Sequence, residues 1–478
     1  MVFQNVKIVF VKGLALPALL VVALLLSELI AKGGMLVPIA LIALPLGLAL
    51  FYLIFSNPKY GFLTSFLVAF VVNGLGRYID APFGLALDII LLMTLVSSVI
   101  NVPAKNWQGA KNPVVGLTFV WFLVTVFEIF NPESPSFEAW FYAVRGIALY
   151  MIIIVPLVFV AFQKQKDMML MIRFWFIGGI ISALYGMKQL YIGLNGAENA
   201  WLAAGASETH ILFGRLRVFS FYSDAGQFGA FMAFTGLVAA IFALGKVSFK
   251  NKIFYGTTAL ICFYGMAISG TRGALFVPIS GFFAYLFLSK NFKTLMAGSA
   301  FLAICFYILK FTFIGQGNYQ IQRMRSALNP DDPSFQVRLE NQRKFKAYLA
   351  TRPFGGGIGS AGYWGERFSP GTFLAETPTD SHYVRIWAET GIVGLTIHLL
   401  SLLIILGICF FRIFRIRDPE IKQAMMALFA GVFGIAVASY GNQVIGQMPT
   451  NVFFYMSLSF IFLGATWDRS IDTNTQKQ

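Results

Sequence analysis

Apolar runs of about 20 residues, each long enough for one membrane-spanning helix, recur along most of this chain. Short polar connections separate them. The pattern predicts about fourteen spans, with an uncertainty of about two. They are expected near residues 10–31, 35–55, 61–77, 82–102, 113–130, 140–162, 171–193, 225–244, 253–268, 273–289, 294–314, 390–411, 423–443 and 451–466.

The composition agrees with this pattern, since 58% of the 478 residues are hydrophobic and only 12% are charged. The expected fold class is therefore an all-α integral membrane protein with about 12 to 14 transmembrane helices and a large helical extracytoplasmic loop. The first apolar run, Gly13 to Ile30, has no small-residue cleavage pattern before Lys32. We expect it to be a retained helix and not a removed signal peptide.

Lysine and arginine concentrate in every second connection, which predicts that these connections face the cytoplasm. They include Lys105 and Lys111; Lys164, Lys166 and Arg173; Lys246, Lys250 and Lys252; Lys290 and Lys293; and Arg412, Arg415, Arg417 and Lys422. Both termini are then expected to be cytoplasmic. The chain divides into a bundle of about eleven helices over 1–314, an outer loop over 315–389, and C-terminal helices with a short tail over 390–478.

The net charge of +15 comes in part from the lysines and arginines of the connections predicted to be cytoplasmic. More informative are the cations expected in the outer half of the bundle, because basic groups in or beside a bilayer usually have a partner. They are Arg145, Lys188, Arg215, Arg217, Arg272 and Lys310. Asp88 and Glu128 can pair with one or two of them, but the cations outnumber these acids.

A polyanionic ligand would neutralise this surplus of cations in the outer half of the bundle. Guanidinium groups bind the oxygens of a phosphate or diphosphate in pairs, which makes a diphosphate site attractive. For any single arginine, an ion pair or snorkelling to lipid headgroups is the commoner role. For the set, the anion site is the stronger interpretation.

The outer loop has a helical pattern of its own. Charged and apolar residues alternate at helical spacing over 318–328 and again over 334–350, and Asn329-Pro330-Asp331-Asp332-Pro333 separates the two. This predicts two amphipathic helices over the outer face of the bundle. The run R-P-F-G-G-G-I-G, Arg352 to Gly359, predicts a tight turn.

Neither carboxylates nor thiols indicate a metal site. Between two prolines, Asp331 and Asp332 are typical of a turn and helix cap. Cys262, Cys305 and Cys409 all fall inside apolar segments, so neither a disulfide framework nor a thiolate site is expected.

His382 is the strongest candidate for a catalytic group. Of the three histidines, His398 falls within a predicted span and is expected to be a hydrogen-bonded bundle residue, while His210 lies in a loop of small residues. His382 lies where the outer loop meets the membrane, with Asp380 and Arg385 beside it, and a base there could serve a lipid-borne substrate. A surface or helix-capping histidine is the alternative. Glu389 is expected to be a hydrogen-bonding partner on the same helix.

Four motifs in this order carry a family resemblance over about Arg217 to Leu406. They are R-V-F-S-F-Y-S-D from Arg217, S-G-T-R-G-A-L from Ser269, R-P-F-G-G-G-I-G, and S-H-Y-V-R-I-W-A-E-T-G-I-V-G from Ser381. The chain thereby resembles the O-antigen ligase and O-antigen polymerase superfamily of bacterial membrane glycosyltransferases, which use undecaprenyl-diphosphate-linked glycans.

The resemblance implies roles for particular residues. The loop histidine of the family corresponds to His382, the arginine of its first outer loop to Arg217, and the arginine of its large loop to Arg338. The family commonly has Pro-Asn after the first arginine motif, where this chain has Ala225-Gly226-Gln227, so the choice between Arg215 and Arg217 stays open. We expect Arg217, Arg272 and Arg338 to converge with Arg145 on one pocket that opens to the outer leaflet.

The reaction implied is transfer of a glycan from an undecaprenyl-diphosphate carrier to a hydroxyl of a glycolipid or glycan acceptor, with no cofactor, metal or nucleic acid. His382 would be the general base, and the product would have inverted configuration. The location implied is the bacterial cytoplasmic membrane, with the site facing the periplasm.

Two other functions remain open at this stage. A polymerase of O-antigen or exopolysaccharide repeat units uses the same donor as a ligase, so the motifs do not separate the two. A lipid-linked oligosaccharide flippase or other transporter also suits fourteen spans, but it typically shows two similar halves, and no internal repeat is evident.

Overall fold

A computed structural model describes residues 36–79, 83–329 and 331–475, with scattered positions between 21 and 34. The structure is 78% helical, with almost no strands among the described residues, which confirms the expected all-α membrane class. The helices are α1 (Leu36–Ser56), α2 (Pro58–Leu75), α3 (Gly84–Asn101), α4 (Ala104–Trp107), α5 (Pro113–Phe127), α6 (Phe137–Val144), α7 (Tyr150–Ala161), α8 (Gln165–Tyr191), α9 (Gly196–Trp201), α10 (Ser207–His210), α11 (Ala225–Leu244), α12 (Phe249–Ile268), α13 (Phe276–Leu288), α14 (Phe292–Phe311), α15 (Tyr319–Ser326), α16 (Pro333–Tyr348), α17 (Gly362–Phe368), α18 (Phe373–Glu376), α19 (His382–Ile413), α20 (Pro419–Ala438) and α21 (Thr450–Thr475).

Shorter elements join these helices. Short 3₁₀-helical turns cover Gln108–Ala110, Glu128–Phe130, Arg272–Leu275 and Leu349–Thr351, and π-helical turns cover Arg145–Leu149 and Leu202–Ala206. Two short antiparallel strands, β1 (Ile211–Leu212) and β2 (Arg215–Leu216), form a hairpin in the connection before α11.

Nine helical segments within the described residues are long and apolar enough to cross a membrane. Three shorter apolar helices, Leu44–Ser56, Arg272–Leu288 and Leu295–Phe311, coincide with further predicted spans. The predicted span 253–268 is also helical, as part of α12. Most of the predicted first span, 10–31, and the question of its retention lie outside the described residues, so the total of about fourteen remains a prediction.

Small residues bring the central helices close together. A Cβ added to Gly281 of α13 would lie 2.3 Å from the Ala430 carbonyl oxygen of α20, and one added to Gly434 would lie 2.5 Å from the Val277 carbonyl oxygen. Backbones this close are typical of helix packing in membranes, where dispersion contacts replace the hydrophobic effect. Helices α13 and α20 therefore pack backbone to backbone at these two glycines.

The two predicted amphipathic helices of the outer loop are present as α15 and α16. The side chain of Asn318 accepts hydrogen bonds from the first backbone N–H groups of α15, and Asp332 does the same for α16. Both are N-caps of the expected kind. Asp332 therefore acts as the turn-and-cap residue that the sequence predicted.

Helix α19 differs from the prediction in its start and its shape. It begins at His382, whereas the apolar run placed the span at 390–411. It is also interrupted at Gly391, whose φ of 63° and ψ of −167° are not helical. The first part of this helix is polar, and hydropathy detects only the membrane-embedded part of a helix. The search for apolar runs therefore missed the residues before 390.

Candidate active site

The turn from Arg352 to Gly359 packs directly against the interruption of α19. The Gly356 N–H donates to the Ala388 carbonyl oxygen at 3.0 Å, and the Val393 N–H donates to the Pro353 carbonyl oxygen at 3.2 Å. These bonds satisfy backbone groups that the break in the helix frees. A Cβ on Gly391 would lie 2.1 Å from the Pro353 oxygen, so the contact requires glycine.

The interruption brings His398 back to His382. On a straight helix, sixteen residues would separate the two by about 24 Å. In the structure their Nε2 atoms are 3.3 Å apart. The indole of Trp121 packs against His398, with their ring centres 4.6 Å apart.

His382 is held firmly at the start of α19. Its backbone N–H donates to the Ser439 carbonyl oxygen at 3.0 Å, and only 3% of the residue is exposed. A Cβ added to Gly446 would lie 3.9 Å from its Nδ1 atom. Since Gly446 lines a large cavity, His382 lies just behind the cavity wall, with Nδ1 on that side and Nε2 on His398.

This cavity, which we call the polar cavity, has a volume of about 790 Å³. Its lining combines basic, aromatic and amide side chains: Arg77, Arg145, Arg367 and Arg385; Phe83, Tyr142, Tyr150, Trp201, Tyr363 and Trp364; and Asn73, Gln443 and Gln447. Among the residues that the structure describes, none that lines it is acidic. The cavity suits an anionic ligand with a polar body.

Two of the lining arginines are positioned by carboxylates outside the lining. Arg145 pairs with Asp88 at 3.0 Å, which is one of the pairings considered from the sequence. The Arg385 Nε donates to Glu389 at 3.1 Å, and Glu389 is completely buried. Glu389 thus has its hydrogen-bonding partner on its own helix. Glu128, the other acid considered, accepts a hydrogen bond from Asn131 instead.

Arg77 was not identified from the sequence. Its guanidinium lies between the rings of Trp201 and Phe219, 4.4 Å from each centre, and donates to the Ser220 carbonyl oxygen at 2.7 Å. Burial lowers its pKa to about 10. It is the last residue of the predicted span 61–77, at the end predicted to be outer, so the argument that singled out Arg145, a cation near the outer end of a span, could have found it as well.

Arg272 and Arg338 line a second cavity, of about 640 Å³, whose wall is mainly apolar; we call it the apolar cavity. Arg272 pairs with Asp332, and Arg338 lies 3.7 Å from Asp380. Asp380 therefore contacts Arg338 and not His382. Tyr383, the neighbour of His382, lines this cavity too.

The arginines consequently occupy two cavities and not the single pocket that the sequence led us to expect. The connection between α20 and α21 separates them: Tyr440 and Gly441 line the apolar cavity, whereas Gln443 and Gly446 line the polar cavity. The surplus of positive charge predicted one anion site for all these arginines. Charge does not show whether a backbone segment lies between two of them.

Arg215 lies on β2 of the hairpin, and Arg217 directly follows this strand. Arg217 donates to the Thr209 carbonyl oxygen at 2.9 Å and to the Thr271 hydroxyl at 3.2 Å. Burial lowers its pKa, and the nearby charge of Arg323 lowers it further. Arg215 is exposed and lies over the ring of Tyr319. Of the two, Arg217 is the one tied to the turn that carries Arg272.

Helix α11 begins at Ala225, where the family pattern has a different sequence. The side chain of Asp224 accepts a hydrogen bond from the Gln227 N–H at 2.9 Å and caps the helix. Asp224 therefore serves as the N-cap that sets the start of this helix.

A family model described as O-antigen ligase matches residues 257–399 of the chain. The match confirms the resemblance to the O-antigen ligase superfamily and supports an enzyme of the glycosyltransferase type. It spans the turn at Arg272, the outer loop, His382 and His398, while Arg145 and Arg217 lie before it. A comparison with curated proteins finds no match.

Proposed function

We propose, from the O-antigen ligase match over residues 257–399, that this membrane protein transfers a glycan from an undecaprenyl-diphosphate carrier to an acceptor hydroxyl. The transfer takes place on the outer, periplasmic side of the bacterial cytoplasmic membrane, as in an O-antigen ligase. The observation that carries this proposal is the position of His382, directly behind the wall of a cavity lined by four arginines. A base beside a basic cavity suits displacement at a sugar diphosphate.

In the proposed reaction, His382 accepts the proton of the acceptor hydroxyl. The acceptor oxygen forms a bond to the anomeric carbon of the donor sugar, and the bond from that carbon to the diphosphate oxygen breaks. The diphosphate leaves with the electron pair, and the configuration at the anomeric carbon is inverted. Because the diphosphate is already a good leaving group, the step requires no ATP and no metal ion.

His398 sets the tautomer of His382 in this proposal. The two Nε2 atoms are 3.3 Å apart, so one carries a proton and donates a hydrogen bond, and the other accepts that hydrogen bond. When His398 accepts, the proton of His382 is on Nε2 and the lone pair of Nδ1 faces Gly446 and the polar cavity. That is the form of His382 that can act as a base.

The arginines neutralise the charge that builds up on the diphosphate as the glycosidic bond breaks. In this proposal Arg145 and Arg385 bind the diphosphate beside His382 in the polar cavity. Arg272 and Arg338, with Arg217 behind Arg272, attract the diphosphate headgroup as the carrier enters at the apolar cavity, which receives the isoprenoid chain. Asp88 fixes Arg145 and the buried Glu389 fixes Arg385, so little reorganisation is needed during the reaction. Arg215, exposed on the hairpin, can contribute only long-range attraction.

The test is transfer by the purified protein in detergent. Undecaprenyl-diphosphate glycan is supplied with a lipid-linked core acceptor in one reaction and alone in another, each with and without EDTA. We expect a product with inverted anomeric configuration at an unchanged rate in EDTA, in the reaction that contains the core acceptor. Elongation of the donor in the reaction without it would instead identify a polymerase. Movement of the donor across vesicles with no new glycosidic bond would identify a flippase.

A further inference from the structure

One wall of the polar cavity is built from stacked aromatic rings. Tyr142 of α6 stacks on Trp364 of α17, with ring centres 5.0 Å apart and planes inclined by 21°, and on Phe368 at 5.8 Å and 19°. Tyr363 packs edge-on against Trp364 and is 66% exposed. We call Tyr142, Tyr363 and Trp364, which all line the cavity, the aromatic wall.

The guanidinium of Arg367 lies on this wall. Its charged carbon is 5.6 Å from the ring centre of Tyr142, 6.0 Å from that of Trp364 and 5.4 Å from that of Phe368. Among the described residues, no carboxylate or carbonyl forms an ion pair or hydrogen bond with it. It differs in this from Arg77, Arg145 and Arg385, whose partners lie within the protein.

The chemistry of this wall matches a saccharide with an acidic group. The C–H faces of a sugar ring pack on flat aromatic side chains, while its hydroxyls require polar neighbours such as Gln443 and Gln447 on other parts of the cavity lining. A guanidinium that stacks on aromatic rings retains its N–H donors for a carboxylate or phosphate. Neutral sugars would leave Arg367 without a charged partner.

We propose that the aromatic wall and Arg367 form a subsite for an acidic saccharide unit, one that carries a carboxylate or phosphate group. The inference rests on the proposed glycan transfer for the identity of the molecules that bring this unit to the cavity. Two molecules of that reaction could bring the acidic unit to the cavity: the donor and the acceptor. The chemistry of the subsite is the same whether the acidic unit belongs to the donor glycan or to the acceptor glycan.

A binding measurement tests this subsite without requiring transfer. Trigalacturonic acid and maltotriose, an acidic and a neutral trisaccharide, are titrated calorimetrically into the full-length protein in detergent. The variants are Arg367→Gln and Tyr363→Ala, both at exposed positions that the core does not need. The matched control is Arg343→Gln, an exposed arginine of the same outer loop that lines neither cavity.

We expect the dissociation constant of trigalacturonic acid to rise about tenfold or more in Arg367→Gln, the loss typical of one charge-assisted hydrogen bond. It should rise several-fold in Tyr363→Ala and stay unchanged in Arg343→Gln. Maltotriose should bind the parent protein more weakly and respond little to Arg367→Gln. Equal affinity of the parent and Arg367→Gln for trigalacturonic acid, no binding to the parent, or an equal loss in Arg343→Gln would each overturn the subsite.

Competition separates the two sources. If saturating undecaprenyl-diphosphate glycan displaces trigalacturonic acid, the subsite belongs to the donor; if saturating acceptor displaces it, the subsite belongs to the acceptor. Displacement by neither overturns the inference that the wall serves the reaction. Binding that follows this pattern in a protein that transfers no glycan would contradict the proposed function and leave the subsite in place, so the two failures are distinguishable.

Discussion

Replacing Gly391 by alanine should damage both the fold and the active site. Gly391 interrupts α19 with φ 63° and ψ −167°, a region of backbone space that is essentially restricted to glycine. The methyl group of alanine would also lie 2.1 Å from the Pro353 oxygen and 2.5 Å from the Gly355 nitrogen. Both neighbours are backbone atoms, so neither can rotate away as the end of a side chain would.

Two costs therefore add up at this position. Backbone strain of this kind costs about 1–3 kcal/mol. Relief of the contacts requires a shift of the turn at Pro353, with loss of hydrogen bonds worth about 1 kcal/mol each. We expect Gly391→Ala to lower the free energy of unfolding by roughly 2–5 kcal/mol. Because the same break brings His398 to His382, transfer should also fall, by up to about a hundredfold for a displacement near 1 Å.

The stability assay is reversible unfolding in a mixed detergent–SDS titration, and the activity assay is transfer at saturating donor and acceptor. Gly407→Ala is the matched control, because it lies on the same helix and an added Cβ would have no atom within 4 Å. It should be neutral or stabilising by about 0.5–1 kcal/mol. If Gly391→Ala unfolds at the same SDS fraction as Gly407→Ala and transfers glycan at the same rate, the helix break is not needed for either purpose.

Three further outcomes are expected. A cysteine at Ser334 should react with an impermeant thiol reagent in intact spheroplasts while one at Ser248 should not, and the reverse labelling would contradict an external loop. Arg338→Lys keeps the charge but loses the paired donors, so transfer should fall about tenfold or more, whereas Arg343→Lys on the same helix should leave it unchanged; equal rates would argue against a guanidinium-specific site. Burial lowers the pKa of His210. As the pH falls below about 6.5, the unfolded chain binds a proton at this histidine that the folded chain does not bind, so the folded protein should lose stability. The change in unfolding free energy between pH 7.5 and 5 should be smaller in His210→Gln, and an identical change would show that His210 does not carry this dependence.

Hydropathy predicted most of the architecture because a bilayer imposes one strict length on apolar helices. The spans around α3, α11 and α20 were located to within a few residues, and so were α15 and α16, whose amphipathic pattern and caps are local signals. The start of α19 was placed too late because its first turns are polar.

The pairing of His382 with His398 could not be predicted from spacing. On a regular helix, residues sixteen apart are separated by roughly 160° around the axis as well as by about 24 Å along it. The pairing depends on the break at Gly391, and that break depends on the turn at Pro353, which is distant in sequence. A glycine in an apolar helix is common in membranes and does not by itself indicate such a turn.

The aromatic wall was missed for a different reason. Tyr142 and Trp364 belong to separate elements, α6 and α17, and each looks like an ordinary interfacial aromatic residue when taken alone. The packing of α17 on α6 brings them together and places Arg367 beside them. Arg145, by contrast, was identified because a cation inside a span is rare enough to be informative on its own.

The most direct test of the central claim is the transfer rate of His382→Ala. The purified variant is assayed with undecaprenyl-diphosphate glycan and acceptor at saturation, and donor binding is measured separately. Since a positioned general base typically contributes a hundred- to ten-thousandfold, we predict that the rate falls by about that much while donor binding, which depends on the arginines, persists. A variant that binds donor and transfers glycan at the parent rate would contradict the account, and the base would then have to be a group other than His382.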